Sequence, residues 1–406
     1  MNFIFTMKIL SYLYFFRSTK KEEVYFLNSN DIAVYLHIPF CVKRCLYCDY
    51  VSTTNLSLKA EYFNALSKEI TLKGEKLKGR KVRTIYFGGG TPSFVEEEFI
   101  LQTFRSLQEH MDLSDLEEFT IEVNPESVEE KKVHFYKEIG INRISMGFQS
   151  TSDKILKTVG RSHDFNKELE SYKLLTSFYD NINIDFIVGL PYENFDTVNS
   201  NLEFIEKMKP SHISYYLLDS SHDTPLKHFL EIKEMKLPED DLVYDLLDYI
   251  YDQLKKLQYN RYEISSWSLP QKECIHNQFY WYNLDYVGFG ISAGGHINKE
   301  RYVNTSDVKA YITKLKDDKL PYDTKNANDE FTELLETLFM SLRLTKGITY
   351  DSLIQRFSKN VVDNVLNQLK NNLEEYISIE DSIKLTTKGL NFSRFVFEKL
   401  LDVSPT

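Results

Sequence analysis

Cysteine is scarce in this sequence: there are four in 406 residues, and three of them fall between Cys41 and Cys48. The fourth, Cys274, stands alone in the second half of the chain. This distribution excludes a disulfide framework of the kind that small secreted proteins use. Free thiols suit a reducing compartment, so we expect a cytoplasmic protein.

Basic charge is in deficit as well. The 49 Lys and Arg residues face 60 Asp and Glu residues, which gives a net charge of −11. Nonspecific binding to nucleic acid requires a basic surface. We therefore expect no nucleic-acid partner.

Long apolar runs are missing too. The most apolar stretch is residues 1–16, but Lys8 divides it, whereas a spanning helix needs about 20 apolar residues. The charged segment Arg17 to Glu23 follows, without a small-x-small cleavage site. We interpret residues 1–30 as an N-terminal extension. A poorly ordered segment, a packed lid, a wrongly chosen start codon and a peripheral membrane contact are its alternatives.

The composition is otherwise that of a globular protein, with 42% hydrophobic residues, 10 prolines and 15 glycines. From residue 31, short β-branched runs alternate with helical patterns. The predicted strands are Ile32–Phe40, Val82–Phe87, Phe119–Val123, Arg143–Phe148, Ile182–Val188 and His212–Leu218. The predicted helices between them include Leu58–Leu77, Glu96–His110, Phe165–Phe178 and Asn194–Met208. Six such units predict an α/β fold, a parallel partial (β/α)6 barrel whose strand ends carry the chemistry.

The cysteine loop, Cys41-Val-Lys-Arg-Cys45-Leu-Tyr-Cys48, offers three thiolates to a metal centre. Thiolate loops hold iron–sulfur clusters, and three ligands leave one iron of a four-iron cube open to a small molecule. Zinc would need a fourth ligand, for which His37 is the near candidate, but it lies in a predicted strand. A chance grouping of buried thiols is the remaining alternative.

Polar or glycine-rich patches follow the predicted strands. Gly88-Gly-Gly-Thr-Pro92 would let a backbone approach a ligand closely, although a tight turn is the plain alternative. Glu122, Gln149 and Asp185 lie within or just after apolar strands, where each could be a satisfied core residue. Arg161, taken alone, would be a surface charge.

Together these features resemble the radical SAM proteins, and among them the HemN/HemW group of coproporphyrinogen dehydrogenases and haem chaperones. Tyr35-Leu-His-Ile-Pro-Phe-Cys41 and Cys48-Asp49-Tyr50 carry the resemblance beside the cysteine loop. It implies a [4Fe-4S] cluster on Cys41, Cys45 and Cys48, whose open iron binds S-adenosylmethionine. The residues expected to bind that cofactor are Tyr35, Tyr47, Gly89, Gly90, Thr91, Glu122, Gln149, Arg161 and Asp185.

In the HemN enzyme, positions matching Gln149, Arg161 and Asp185 contact a second S-adenosylmethionine, and Asp219 is a further candidate here. The run Glu273-Cys-Ile-His276-Asn-Gln-Phe-Tyr-Trp281 resembles the HNxxYW block of HemW. That resemblance implies haem binding through His276. The alternative is a His276 that hydrogen-bonds within a structured loop. Cys274 is expected to be a small buried hydrophobe rather than a thiolate ligand.

The second half of the chain predicts further domains. We divide the chain into an extension (1–30), the barrel (31–225), a HemN/HemW-type extension (226–300), a connecting region (301–330) and a winged-helix-like domain (331–406). Val361–Glu374, the helix that would enter DNA, carries Lys370 against Asp363 and Glu374, so it is not basic. This domain is expected to cover the cofactor face or to contact a partner.

The resemblance implies a haem chaperone that passes haem to an acceptor, expected to be a respiratory haem protein. The runner-up is an oxygen-independent coproporphyrinogen III oxidase or another radical SAM oxidoreductase. Such a dehydrogenase would carry a further cysteine where this chain has Tyr50, and a longer region before the first strand. A winged-helix regulator with a sensing cluster is disfavoured by the acidic charge. No catalytic residue is assigned.

Overall fold

The structure is a computed structural model that describes residues 30–232 and 234–405. The extension predicted over residues 1–30 therefore lies outside the described residues, apart from Asn30. Within the described part, no helix combines the length and apolar character needed to cross a membrane.

Six parallel strands form the centre of the molecule and pair in chain order. They are β1 (Asp31–Ile38), β2 (Lys81–Gly89), β3 (Glu118–Val123), β4 (Arg143–Gln149), β5 (Ile182–Val188) and β6 (His212–Leu217). The prediction of an α/β fold built on six such strands is confirmed, and each bound lies within about two residues of its prediction. Both faces are buried, which explains why the strands read as apolar runs.

Helices connect these strands. They are α1 (Lys59–Gly74), α2 (Glu97–His110), α3 (Glu130–Glu138), α4 (Asp153–Thr158), α5 (Phe165–Thr176) and α6 (Phe195–Met208). The helices α3 and α4 are short and bury two residues each, so their periodicity is weak in the sequence.

The chain after β6 extends the sheet at both edges. Four helices lie in this part: α7 (Pro225–Glu231), α8 (Asp240–Lys256), α9 (Ile275–Trp281) and α10 (Val308–Lys316). The six added strands are β7 (Asn260–Glu263), β8 (Ser266–Ser268), β9 (Tyr286–Phe289), β10 (Gly294–Ile297), β11 (Glu300–Asn304) and β12 (Tyr322–Ala327). Strand β8 pairs with β6, whereas β9 pairs with β1 on the opposite side. Strands β1 to β12 thus form one sheet.

Residues 301–330 differ from the predicted connecting region. They contain most of β11, all of α10 and all of β12. Tyr302, Tyr311 and Leu315 are buried in the main core, while every residue of β12 after Tyr322 is exposed. This segment is polar because an edge strand and a helix within it expose one side to solvent.

The last part of the chain forms a second, smaller hydrophobic cluster. Its elements are α11 (Glu330–Ser341), β13 (Ile348–Thr349), α12 (Tyr350–Arg356), α13 (Lys359–Leu373), β14 (Ile377–Ile379), β15 (Ser382–Leu385), α14 (Thr387–Asn391) and α15 (Ser393–Leu400). The three strands form a separate sheet in the order β13-β15-β14. Helix, strand, two helices and a hairpin follow one another as in a winged helix, as predicted. The boundaries between domains stay predictions.

A buried ion pair attaches α1 to the added strands. Lys73 Nζ lies 2.6 Å from Glu69 Oε1 and donates to the Gly288 carbonyl at 2.8 Å. Glu69 also accepts from the Gly290 amide at 2.8 Å and from the Tyr311 hydroxyl at 2.6 Å. Burial lowers the pKa of Lys73, yet its pairing with Glu69 opposes that shift. The pair is tolerable inside the protein because each charge is bonded several times.

Lys73→Met should lower the free energy of unfolding by about 3 kcal/mol, because it leaves the Glu69 carboxylate buried without its counter-charge. Urea denaturation would measure the loss. The matched control is Lys316→Met, which removes a surface pair, 2.6 Å long, between α10 and Glu61 of α1. This control should change stability little, since exposed pairs are screened by water. Equal effects of the two substitutions would contradict the argument.

Candidate functional site

The carboxyl ends of the central strands open onto a cavity of about 410 Å³. Most of the predicted site residues line it, and they come from seven separate segments of the chain. These residues are Cys41, Cys45, Tyr47, Cys48, Gly89, Gly90, Thr91, Glu122, Gln149, Arg161, Asp185 and Asp219. Of the predicted residues, Tyr35 and His276 do not line the cavity.

The cysteine loop is held at both ends and in its middle. The Cys41 amide donates to the Thr53 carbonyl at 3.1 Å, and the Thr53 amide donates to the Pro39 carbonyl at 2.8 Å. In the middle, the Leu46 amide donates to the Val159 carbonyl at 3.0 Å. The three thiols are thereby presented on a fixed loop at the end of β1.

The three sulfurs lie in a polar but largely desolvated setting. The Thr91 hydroxyl donates to Cys41 Sγ at 3.5 Å, and the Arg161 guanidinium to Cys45 Sγ at 3.8 Å. Burial raises the pKa of the Cys41 thiol and raises that of Cys48 to about 11. Thiols with raised pKa values give up their protons when a cationic centre binds.

The spacing of the sulfurs disfavours a single ion. Among the described residues, the three sulfurs do not form a group whose ligand atoms all lie within 4.8 Å of one another. His37, the fourth ligand of the zinc alternative, is buried in β1. Its Nδ1 lies 3.1 Å from the Tyr35 hydroxyl, and its Nε2 lies 2.7 Å from the Val51 carbonyl. Both ring nitrogens are therefore already bonded.

The glycine turn at the end of β2 fits against the cysteine loop. A Cβ on Gly90 would lie 2.8 Å from the Pro39 carbonyl oxygen and 3.0 Å from Cys41 Sγ. Gly89 has a φ of 113°, and a Cβ there would meet the His37 ring at 2.7 Å. A Cβ at either position would clash with these atoms, so glycine is needed for the two segments to lie this close. The turn is a close approach of backbones and not merely a change of direction.

Two carboxylates face the cavity from β3 and β5, the strands on either side of β4. Glu122 accepts from the Tyr86 hydroxyl at 2.9 Å and from the Gly89 amide at 3.1 Å. Asp185 accepts from Ser145 at 3.0 Å and from Asn183 at 2.8 Å. Burial, with a smaller contribution from Asp185, raises the pKa of Glu122 to about 7. Burial likewise raises the pKa of Asp185.

Arg161 is not a surface charge. It donates to the Gly147 carbonyl at 2.6 Å and to Asn124 Oδ1 at 3.3 Å, in addition to Cys45. Gln149 ends β4 with a φ of 72°, and its buried amide packs beside Gly147. This left-handed turn aims Gln149 into the cavity at the point where β4 and β5 change register.

The sequence interpretation missed Arg143, which lines the cavity although only 2% of its surface is exposed. Its Nε has no hydrogen-bond partner in the described structure. The signal was present in the two-residue period of a strand, since Arg143, Ser145, Gly147 and Gln149 all line the cavity. Counting back from Gln149 in steps of two residues along the strand leads to Arg143.

His276 lies in α9 behind the cavity wall and is 1% exposed. Its Nδ1 is 2.8 Å from the Thr84 hydroxyl, and its Nε2 is 2.7 Å from the Tyr280 hydroxyl. Glu118 accepts from the His276 amide at 3.1 Å and so holds the start of the helix. The geometry is that of a histidine bonded within a structured segment. Burial lowers its pKa to about 3.

Tyr35 packs beside Tyr86, with ring centroids 6.1 Å apart. Its hydroxyl is bonded to His37 rather than facing the cavity. Cys274 is fully buried, with its thiol 3.4 Å from Glu118, which is the buried role predicted for it.

Comparison with known proteins gives a consistent result. The Radical SAM superfamily profile matches residues 35–205. A protein named "Heme chaperone HemW" from Lactococcus lactis is 32% identical over 378 residues, which cover 91% of this chain and 97% of that protein. A protein of the same name from Bacillus subtilis is 29% identical, over 91% of this chain and 99% of that protein.

Among solved structures, coproporphyrinogen III oxidase (HemN) from Escherichia coli, described as a radical SAM enzyme, superposes with a TM-score of 0.80. The match covers 92% of this chain and 90% of that one, at 22% identity. At this identity the likeness establishes the fold, and it includes the strands and helices beyond the barrel.

The raised pKa of Glu122 makes a prediction about pH. In the unfolded chain a glutamate has a pKa of about 4.3, so between there and about 7 the folded protein keeps a proton that the unfolded chain has lost. Wild-type stability should therefore fall as pH rises through this window. Glu122→Gln carries no such proton. Between about pH 5 and 8, the free energy of unfolding of this variant should rise by on the order of 2 kcal/mol relative to that of wild type.

Urea denaturation of both proteins at the two pH values would measure this gain. The comparison of slopes removes any pH-independent cost of the substitution. Parallel pH profiles would show that Glu122 is ionised in the folded protein.

Proposed function

Because this chain belongs to the HemW family of the radical SAM superfamily, we propose that it is a haem chaperone, which binds haem and passes it to an acceptor protein. The observation that carries this proposal is the cavity in which three thiols converge with the glycine turn and Glu122. We place the protein in the cytoplasm, and its acceptor among the respiratory haem proteins.

The residues of the cavity fit a cluster and S-adenosylmethionine. Cys41, Cys45 and Cys48 supply three thiols on a fixed loop, and both ring nitrogens of His37, the candidate fourth ligand, are already hydrogen-bonded. Gly89 and Gly90 let the turn lie directly against the cysteine loop, because any Cβ there would clash with that loop or with β1. The unpartnered Arg143 Nε offers a donor in the wall. When bound there, a [4Fe-4S] cluster would supply one electron to the sulfonium of S-adenosylmethionine.

The protein side of this chemistry follows from the contacts. Thr91 and Arg161 donate to two of the sulfurs and so stabilise their thiolate forms. Glu122, with its pKa near 7, can accept a hydrogen bond from an ammonium group of the ligand. Under the loop, Tyr47 packs on a small apolar cluster that includes Ile155 and Leu190 and keeps water out.

The alternative function is that of an oxygen-independent coproporphyrinogen III oxidase, because HemN, an oxidase of this kind, has the same fold as this chain. The exposed Tyr50 stands where a dehydrogenase of that type would have a further cysteine. That difference favours the chaperone.

Anaerobic titration of the reconstituted protein with haem tests the proposal directly. We expect one haem to bind per chain. We also expect that haem to pass to an apo-acceptor, whose absorption spectrum would report the transfer. The same preparation, given coproporphyrinogen and S-adenosylmethionine, should form no protoporphyrinogen. Turnover of coproporphyrinogen without haem binding would contradict the chaperone proposal and support the oxidase instead.

Gly90→Ala should prevent cluster assembly, because its Cβ would displace either Pro39 or the Cys41 sulfur. Iron and sulfide content after anaerobic reconstitution should fall at least several-fold. Gly294→Ala is the matched control, since a Cβ there meets only the Tyr302 carbonyl oxygen, at an ordinary 3.6 Å. Full cluster content in Gly90→Ala would show that the loop moves to make room.

A further inference from the structure

A haem chaperone needs a ligand for the haem iron, and the structure places His276 out of reach. It is 1% exposed, and both of its ring nitrogens are hydrogen-bonded to hydroxyl groups. Iron could reach it only after α9 had moved and both bonds had broken. A different histidine must therefore be considered for the described conformation.

We propose that His222, at the mouth of the cavity, is the axial ligand of the haem iron, an inference that rests on the proposed haem-binding function. His222 lines the cavity from the loop between β6 and α7. Its side chain is 51% exposed, so a ligand from solvent can reach it without any change of fold.

Two carboxylates prepare His222 for this role. Its Nε2 lies 3.5 Å from Asp49 and 3.4 Å from Asp219. A histidine that binds a metal through one nitrogen commonly donates its other N–H to a carboxylate, which orients the ring. The pair of aspartates can hold that proton, leaving the second nitrogen for iron. Asp49 directly follows Cys48, so the ligand is tied to the cysteine loop.

The surface beside His222 suits the flat face of a porphyrin. Tyr50, Tyr216 and Leu217 line the same cavity and are 62%, 43% and 52% exposed. Large apolar side chains exposed together mark a binding surface. The cavity is continuous with this patch, so a haem there would sit over the entrance to the thiol site.

The same rim offers partners for the haem propionates. Lys43 and Arg44 lie in the cysteine loop and line the cavity. Among the described residues, no ion pair involves Lys43, so its ammonium group can bind a carboxylate of the ligand. Iron ligand, apolar face and cation thus occur together at one opening, which is the combination that haem requires.

His276 then acts as a positioning residue. Its ring lies 5.0 Å from that of Tyr86, which donates to Glu122 in the cavity. The segment Ile275–Trp281 supports the wall of the site from behind.

Haem titration of the full-length, cluster-loaded protein under anaerobic conditions tests the assignment. His222→Ala should weaken haem binding at least tenfold and should lose the Soret and electron paramagnetic resonance signature of an imidazole-bound iron. The matched control is His228→Ala, an exposed histidine on α7 that does not line the cavity; it should keep both affinity and signature. His276→Gln is measured in parallel as the competing assignment.

Metal-free protoporphyrin IX separates the iron ligand from the apolar patch. It should bind wild type and His222→Ala with equal affinity, because it has no iron, and should bind Leu217→Asp more weakly.

An imidazole signature that survives in His222→Ala, or is lost only in His276→Gln, would overturn the His222 assignment and leave the haem chaperone standing. A wild-type protein that binds no haem would overturn the chaperone itself. Weaker protoporphyrin binding by His222→Ala would show that His222 contacts the ring and not the iron.

Discussion

The site depends on the close approach of two backbones, the end of β1 and the turn after β2. The Gly90 amide donates to the Ile38 carbonyl at 2.8 Å, and the Thr91 amide donates to that of Phe40 at 3.0 Å. These bonds continue the parallel ladder past the ends of the strands, where side chains would otherwise hold the chains apart. Because Cys41 follows at once, the position of the first thiol is determined by the sheet itself. The positions of the other two thiols are determined by the short loop between Cys41 and Thr53.

Around that loop the cavity balances charges inside a largely desolvated space. Glu122 and Asp185 lie on one wall, and Arg143 and Arg161 lie beside them. Burial raises the pKa of both carboxylates, that of Glu122 to about 7, so the charge of Glu122 depends on pH and on the charge of a bound ligand. A site of this kind responds to the charge of what enters it.

Most of the fold could be read from the sequence, because its strands are buried on both faces and its helices are amphipathic. The polar residues at the ends of the predicted strands also included most of those that line the cavity. The interpretation failed where a residue's surroundings come from distant parts of the chain. Arg143 reads as the polar start of an apolar strand, and only its neighbours Glu118 and Cys274 show that it is buried. For His276 the sequence left haem binding and hydrogen bonding within a loop both open, and it gave no sign of the bond to Thr84, 192 residues away in β2. No local pattern contains that contact.

The way the sheet is closed bears on how the protein is made. β1 is the first described strand, but its second neighbour, β9, is synthesised about 250 residues later. Until Tyr286–Phe289 leave the ribosome, the strand that carries the cysteine loop lacks its second partner among the described strands. Unpaired edges invite wrong pairing, so the nascent chain must keep this one covered or apart. The lining of the thiol cavity runs from Cys41 to Asn277, so it is complete only after about two thirds of the chain has been made. Loading of a cofactor into the finished cavity is a late event in the life of this chain.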